Sequence, residues 1–139
     1  MSGLASSLIA AMALVVVALI SFIANRKLQS DAAWRNEKLE YYKELMDALA
    51  QNIEGDSTPK THRELARASN NLLLVAPKSV LVAHHAYREQ ISRANKSRDY
   101  SLDSGLLANL INAVRDDLKM PQDSPVPPNL VRLWRASSG

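Results

Sequence analysis

Residues Leu8–Lys27 read LIAAMALVVVALISFIANRK, and no charged side chain interrupts the run before Arg26. A bilayer core offers no water to a peptide backbone. An apolar segment that enters it must therefore satisfy its amides as a helix, and needs roughly 20 residues to cross about 30 Å. Leu4 to Ala24 meets that length. A secretory signal would carry a basic start, a shorter apolar core and small residues before a cleavage site. MSGLASS holds no basic side chain, and a cut after Ala24 places bulky Phe22 where a small residue is wanted. The core helix of a water-soluble domain keeps a polar stripe, which this run lacks. The expectation is a retained transmembrane anchor over residues 1–27.

Positively charged flanks resist translocation, and Arg26 and Lys27 directly follow the span with no cationic side chain before it. This predicts an N-terminus outside and a chain that is cytoplasmic from Asn25 onward, at a bacterial inner (plasma) membrane. The absence of cysteine agrees with a reducing compartment. Small residues at four-residue spacing, Gly3 with Ser7 and Ser7 with Ala11, would let spans approach closely in lipid. Nothing ionisable lies inside the span to point to transport or a proton relay. One span per chain lines a pore only as an oligomer.

The roughly 115 residues after Ala24 suffice for one small domain. They hold all 17 Lys and Arg and all 14 Asp and Glu, a net charge of +3. That near-balance lacks the basic stripe of a dedicated nucleic-acid binder, and at 5% aromatic residues the chain has few platforms for stacking bases. Apolar periodicity points to helices instead. In WRNEKLEYYKELMDALAQNI the residues Leu39, Tyr42, Met46, Leu49 and Ile53 recur at three and four, a coiled-coil-like seam, with Glu40, Lys43, Glu44 and Asp47 on other faces. No proline or glycine occurs between Leu4 and Glu54, so anchor and seam read as one helix of roughly 75 Å, with a bend allowed near Asn25 to Asp31.

Gly55 ends that helix, and Ser57 or Thr58 before Pro59 starts the next, with Thr61 and Glu64 as an alternative capping box. Helix two should run through Leu65, Ser69, Leu72, Leu73 and Ala76 to a kink or short corner at Pro77. Helix three should place Val80, His84, Tyr87, Ile91 and Ala94 on one face. After the polar connection NKSRDYS, with Ser101 a candidate cap, helix four should bury Leu102, Leu106, Leu110, Val114 and Leu118 and end near Lys119. The expected fold is all-α: a transmembrane helix continuing into a bundle of about four helices over 28–119, then a proline-rich tail over 120–139. Four prolines from Pro121 to Pro128 favour an extended tail. Its cluster of Leu130, Val131, Leu133 and Trp134 beside Arg132 and Arg135 either packs on the bundle, stays partly disordered or sits at lipid headgroups.

The residues that would carry chemistry are sparse. There is no cysteine nucleophile, glycine-rich phosphate loop or zinc-protease motif. His84 and His85 diverge by about 100° on a helix, poor geometry for joint chelation, and His62 is remote in sequence. Asp116 and Asp117 likewise diverge and read as a helix end making ionic contacts to neighbouring helices, one of them screened by Arg115. No catalytic residue, metal site or cofactor is expected. The most basic local surface is Arg88, Arg93, Lys96 and Arg98, a candidate patch for an acidic partner, a lipid headgroup or nucleic acid.

Three segments, EKLEYYKELMDAL, NNLLLVAPKSVLVAHHAYR and LLANLINAVRDDL, together resemble a class of uncharacterised bacterial and prophage-encoded single-pass membrane-anchored helical proteins. The matching positions are Asn71, Pro77, Val80, Arg115, Asp117 and Leu118, within Glu37 to Leu118. The resemblance implies an anchored helical architecture and no particular activity. The combined expectation is a non-catalytic interaction or self-assembly module whose partners are the lipid bilayer and another protein or a second copy of itself. Its rivals are an oligomerising effector that permeabilises the bilayer and a membrane-tethered nucleic-acid binder.

Overall fold

The computed structural model describes residues 2–52, 57–121 and 125–133, and among these every regular element is helical. Helix α1 spans Ser2–Gln51, α2 Pro59–Val75, α3 Lys78–Ile91 and α4 Asp103–Asp117, with short 3-10 turns at Tyr100–Leu102 and Pro128–Leu130. The chain divides into two compact units, Met1–Glu37 and Lys38–Gly139. The division falls later than the expected boundary after Lys27, because every side chain from Leu28 to Glu37 is exposed and burial begins at Lys38.

The first unit is the N-terminal part of α1, the apolar run followed by a polar stretch to Glu37. By length and composition α1 is long and apolar enough to cross a membrane, and its apolar stretch buries nothing within the protein. Leu4, Leu8, Ile9 and Phe22 are all more than half exposed, and Arg26 and Lys27 at the polar end of the run are exposed too. The Ser7 hydroxyl donates to the Gly3 carbonyl at 2.9 Å, so one polar side chain of the run is satisfied within its own helix.

The second unit is the bundle. From α1 the deepest residues are Tyr42, Leu45, Ala48 and Leu49. Leu39 and Met46 flank this row half-buried, and Ile53 lies outside the described residues. Helix α2 starts where Thr58, in extended conformation, accepts from the Thr61 amide, while Thr61 Oγ1 accepts from the Thr58 amide at 2.8 Å. Pro59 stands at the first helical position, where no donor is missed. Thr61 thus takes the position expected of Glu64, which sits 3.9 Å from Lys60 instead. Asn52 Nδ2 donates to both the Ala48 and Thr61 carbonyls, tying the end of α1 to the start of α2.

Helix α2 buries Leu65, Ala68 and Leu72, whereas Leu73 and Leu74 point outward. Ala76 and Pro77, both extended, form the expected short corner. Helix α3 buries Val80, His84, Tyr87 and Gln90 and ends at Ile91, so Ala94 falls beyond it and is exposed. Helix α4, packed on α3, buries Leu107, Ala108 and Leu110, with Leu118 at its C-cap. Leu102 belongs to the preceding 3-10 turn and is exposed, contrary to the simple periodic reading. The end of α4 is a Schellman turn: Met120 N donates to Arg115 O, Lys119 N to Asp116 O, and Lys119 takes φ 51°.

The proline-rich segment docks on the bundle. The Asn112 side-chain amide donates to Val126 O at 3.0 Å and accepts from Val126 N at 2.8 Å, pairing with the backbone as a neighbouring strand would. Five residues on, Val131 is buried, with Val126 and Leu133 packed at the edge of the core. Trp134 and Arg135 lie outside the described residues.

Candidate functional site

Docking of the tail completes one wall of a cleft of about 1070 Å³ within the bundle. The end of α1 supplies Leu49 and Asn52, α2 His62 and Leu65, α3 the residues around Arg88, the connection after α3 Arg93, Lys96 and Arg98, and the tail Val131 to Leu133. All four cations of the sequence-derived patch line this single cleft, joined by Arg132. Among the described residues, five cations of the lining thus face two carboxylates, Glu89 and Asp103.

The cations differ in how they are held. Arg98 Nη2 lies 2.6 Å from Asp103 Oδ2, and its guanidinium stacks 4.3 Å above the Tyr100 ring centroid. Its loop is fixed by Gln90, whose buried Nε2 donates to the Asp99 carbonyl and to Asp103 Oδ1, and by Asn95 Nδ2, which donates to Gln90 O at 3.1 Å. Asp99 in turn accepts from the Ser101 amide and hydroxyl, and those two bonds hold its carboxyl below the usual carboxylate range. Arg88 is half-buried; its Nη1 donates to Ser69 Oγ at 2.9 Å, and among the described residues no carboxylate pairs with it. Burial lowers its affinity for a proton. Arg93 and Lys96 are exposed and make no side-chain hydrogen bond or ion pair among the described residues. Burial, and secondarily Asp103, raises the Tyr87 hydroxyl's pKa, against the opposing effect of Arg98.

Two other polar clusters lie outside the cleft lining. Ser69 Oγ is 3.2 Å from His84 Nε2. Ser69 Oγ, which accepts from Arg88, donates to His84 Nε2 or accepts from it according to the ring's tautomer. Burial first, then Arg88 and His85, lowers the His84 pKa from 6.5 to about 4. A Ser–His pair alone is incomplete as a nucleophile, which needs a group orienting the base and donors for an oxyanion. Here it clips α2 to α3. The second cluster centres on Asp117, which accepts from Lys38 Nζ on both oxygens at 3.1 Å and from the Tyr42 hydroxyl at 2.5 Å. Asp117 therefore does make the ionic contact to a neighbouring helix that its position predicts, with Lys38 as the partner.

The remaining candidates separate. His85 is exposed and 3.1 Å from Glu89, while His84 faces the core. His62 and His85, remote in sequence, line the same cleft. Among the described residues no group of three His, Cys, Asp or Glu could hold a metal ion. Arg132 has no sequence signal linking it to the loop cations; the Asn112–Val126 bonds and buried Val131 hold the tail that carries it there. No family model matches the chain, and neither a curated protein nor a solved structure does.

Proposed function

We propose that this chain is a single-pass membrane protein of the bacterial inner membrane, with its N-terminus outside and its bundle in the cytoplasm. In this reading the bundle is a non-catalytic module that recruits a partner or a second copy of itself, and the basic cleft is its recognition surface. One observation carries the reading: the apolar stretch of α1 is long enough to span a bilayer and none of it is buried within the protein. In water so large an unbroken apolar surface drives aggregation, whereas lipid satisfies it. The cations Arg26 and Lys27 at its polar end support the inward orientation.

The test is fractionation and topology in a bacterial host. The protein should stay with membranes through an alkaline carbonate wash, and a C-terminal tag should resist protease in spheroplasts but not in inverted vesicles. Val16→Arg with Leu19→Arg, each costing about 2.5 to 3.5 kcal/mol at a span centre, should abolish integration. Release of the wild type by carbonate refutes anchorage, and digestion in intact spheroplasts refutes the orientation. A membrane-potential dye should report no depolarisation on expression; collapse of the potential would favour a permeabilising effector instead.

A further inference from the structure

The cleft joins Arg132, remote in the sequence, to four cations that the sequence already groups. Arg88 lies on α3, Arg93, Lys96 and Arg98 on the connection after it, and Arg132 on the tail, delivered by the Asn112 clamp and the buried Val131. Like charges converge only at an electrostatic cost, and among the described residues Arg88, Arg93 and Lys96 bear it with no carboxylate paired to them. Four of the five are arginines, whose planar forked donors match the oxygens of a phosphate better than a lysine's point charge does. Arg98 is oriented in advance by Asp103 and Tyr100. Arg88 is half-buried with a neutral hydroxyl as its partner, so an anion reaching it would meet a cation already stripped of much of its water.

We infer that the cleft binds a compact polyanion bearing two or more phosphate groups, held by Arg88, Arg93, Lys96, Arg98 and Arg132. Its volume of about 1070 Å³ sits at the upper end of small-ligand sites, room for a nucleotide-sized molecule or a phosphorylated headgroup. A nucleic-acid strand is the less suited occupant. The positive charge is confined to one cleft on a chain of net charge +3, whereas a strand needs a track of cations and stacking surfaces. This inference rests on the reading of the bundle as a binding module and names what that module binds.

The test uses the full chain in phosphatidylcholine nanodiscs, with inorganic tripolyphosphate as the probe in metal-free buffer, titrated by calorimetry. Saturable binding at one site per chain is expected, weakening as salt rises. Arg132→Ala, and Arg93→Ala with Lys96→Ala, should each weaken it by about tenfold or more. Arg67→Ala with Lys78→Ala, exposed cations outside the cleft, should leave it unchanged. Circular dichroism confirms that each variant is folded. Repeating the titration in nanodiscs containing cardiolipin, an anionic lipid with two phosphates, separates the sources. Competition by the anionic lipid identifies a headgroup and its absence a soluble phosphate compound, and both support the inference.

Absence of saturable binding up to millimolar tripolyphosphate overturns it, as does equal loss in the Arg67 and Lys78 control. A single-stranded oligonucleotide that binds a hundredfold tighter, and ignores Arg132→Ala, replaces it with strand binding. Protease protection of the same nanodiscs reports insertion separately. A chain that inserts yet ignores tripolyphosphate therefore sinks this inference alone, and one that fails to insert sinks the anchorage reading.

Discussion

Replacing Asp117 by Ala should destabilise the bundle more than any other single change to a surface charge. The carboxylate receives Lys38 on both oxygens and the Tyr42 hydroxyl, with the Lys38 and Asp117 side chains only 15% and 12% exposed. An exposed pair is worth about 0 to 1 kcal/mol, and breaking a fully buried one costs about 3 to 5. At this exposure the Lys38 ammonium regains part of its water, so about 2 to 3 kcal/mol is expected from the cation. A further kcal/mol or so comes from the Tyr42 hydroxyl losing its acceptor. The sum, about 3 to 4 kcal/mol, corresponds to roughly 10 to 30 °C in Tm for a domain of this size. Asp117→Asn, which keeps an acceptor for Tyr42, should lose about half as much, and Tyr42→Phe about 1 kcal/mol. Urea unfolding of the full chain in mild non-ionic detergent, followed by circular dichroism, measures each. The Lys38→Ala, Asp117→Ala cycle should return a coupling above about 1 kcal/mol. Burial and then Asp117 raise the Tyr42 pKa, so in Asp117→Ala its alkaline titration should move down. If Asp117→Ala lies within about 0.5 kcal/mol of wild type and the coupling vanishes, the clasp contributes nothing and α1 is held by its apolar row and the Asn52 bond to α2.

Three further outcomes follow from the same geometry. His84 has a folded pKa of about 4 against 6.5 unfolded, so between those values the unfolded chain binds more protons. Stability should be complete above about pH 6.5 and fall by about 3 kcal/mol as pH drops to 4, with Ser69, His85 and Arg88 as the surrounding polar groups; His84→Gln should flatten that slope in acid urea titrations. Asn112→Ala removes both bonds to Val126 and should free the tail, read as faster hydrogen exchange at the Val126 and Val131 amides; unchanged protection would mean that Val131 burial suffices. Lys119→Gly relieves a left-handed residue at φ 51° and should raise the urea midpoint by the equivalent of about 1 kcal/mol; a lower midpoint would contradict the strain.

The sequence announces which segments are helices more clearly than which way they face. Leu39, Tyr42, Met46 and Leu49 keep the right spacing, but Leu45 and Ala48 are among the deepest residues while Leu39 and Met46 sit at the edges. A buried helical face is wider than a two-residue seam, and small Ala48 marks close approach without adding a large apolar signal. In LLL at 72–74 only Leu72 goes inward, since consecutive helical positions diverge by about 100°. In α4 the tighter 3-10 turn at Tyr100–Leu102 resets the phase, so counting from Leu102 selects Leu106 over the more buried Leu107.

The cleft follows the opposite pattern. Its loop cations stand together in the sequence because they share one connection, yet that proximity would equally describe a solvated turn. Two polar residues decide between a turn and a site. Gln90 is buried and braces the connection through Asp99 and Asp103, and Asn112 spends its amide on the backbone of a proline-rich tail. Neither carries a sequence signature, because an amide side chain acts as a clamp only once the fold has placed a backbone group opposite it. A tail of four prolines has few amides with which to pair itself, so Val126, the donor between Pro125 and Pro127, is where a clamp can take hold. That contact and the burial of Val131 together hold the tail that carries Arg132 to the cleft. The cleft's full charge is therefore a property of the docked state: if the tail is displaced, one of its five cations leaves and the affinity for a polyanion falls with it.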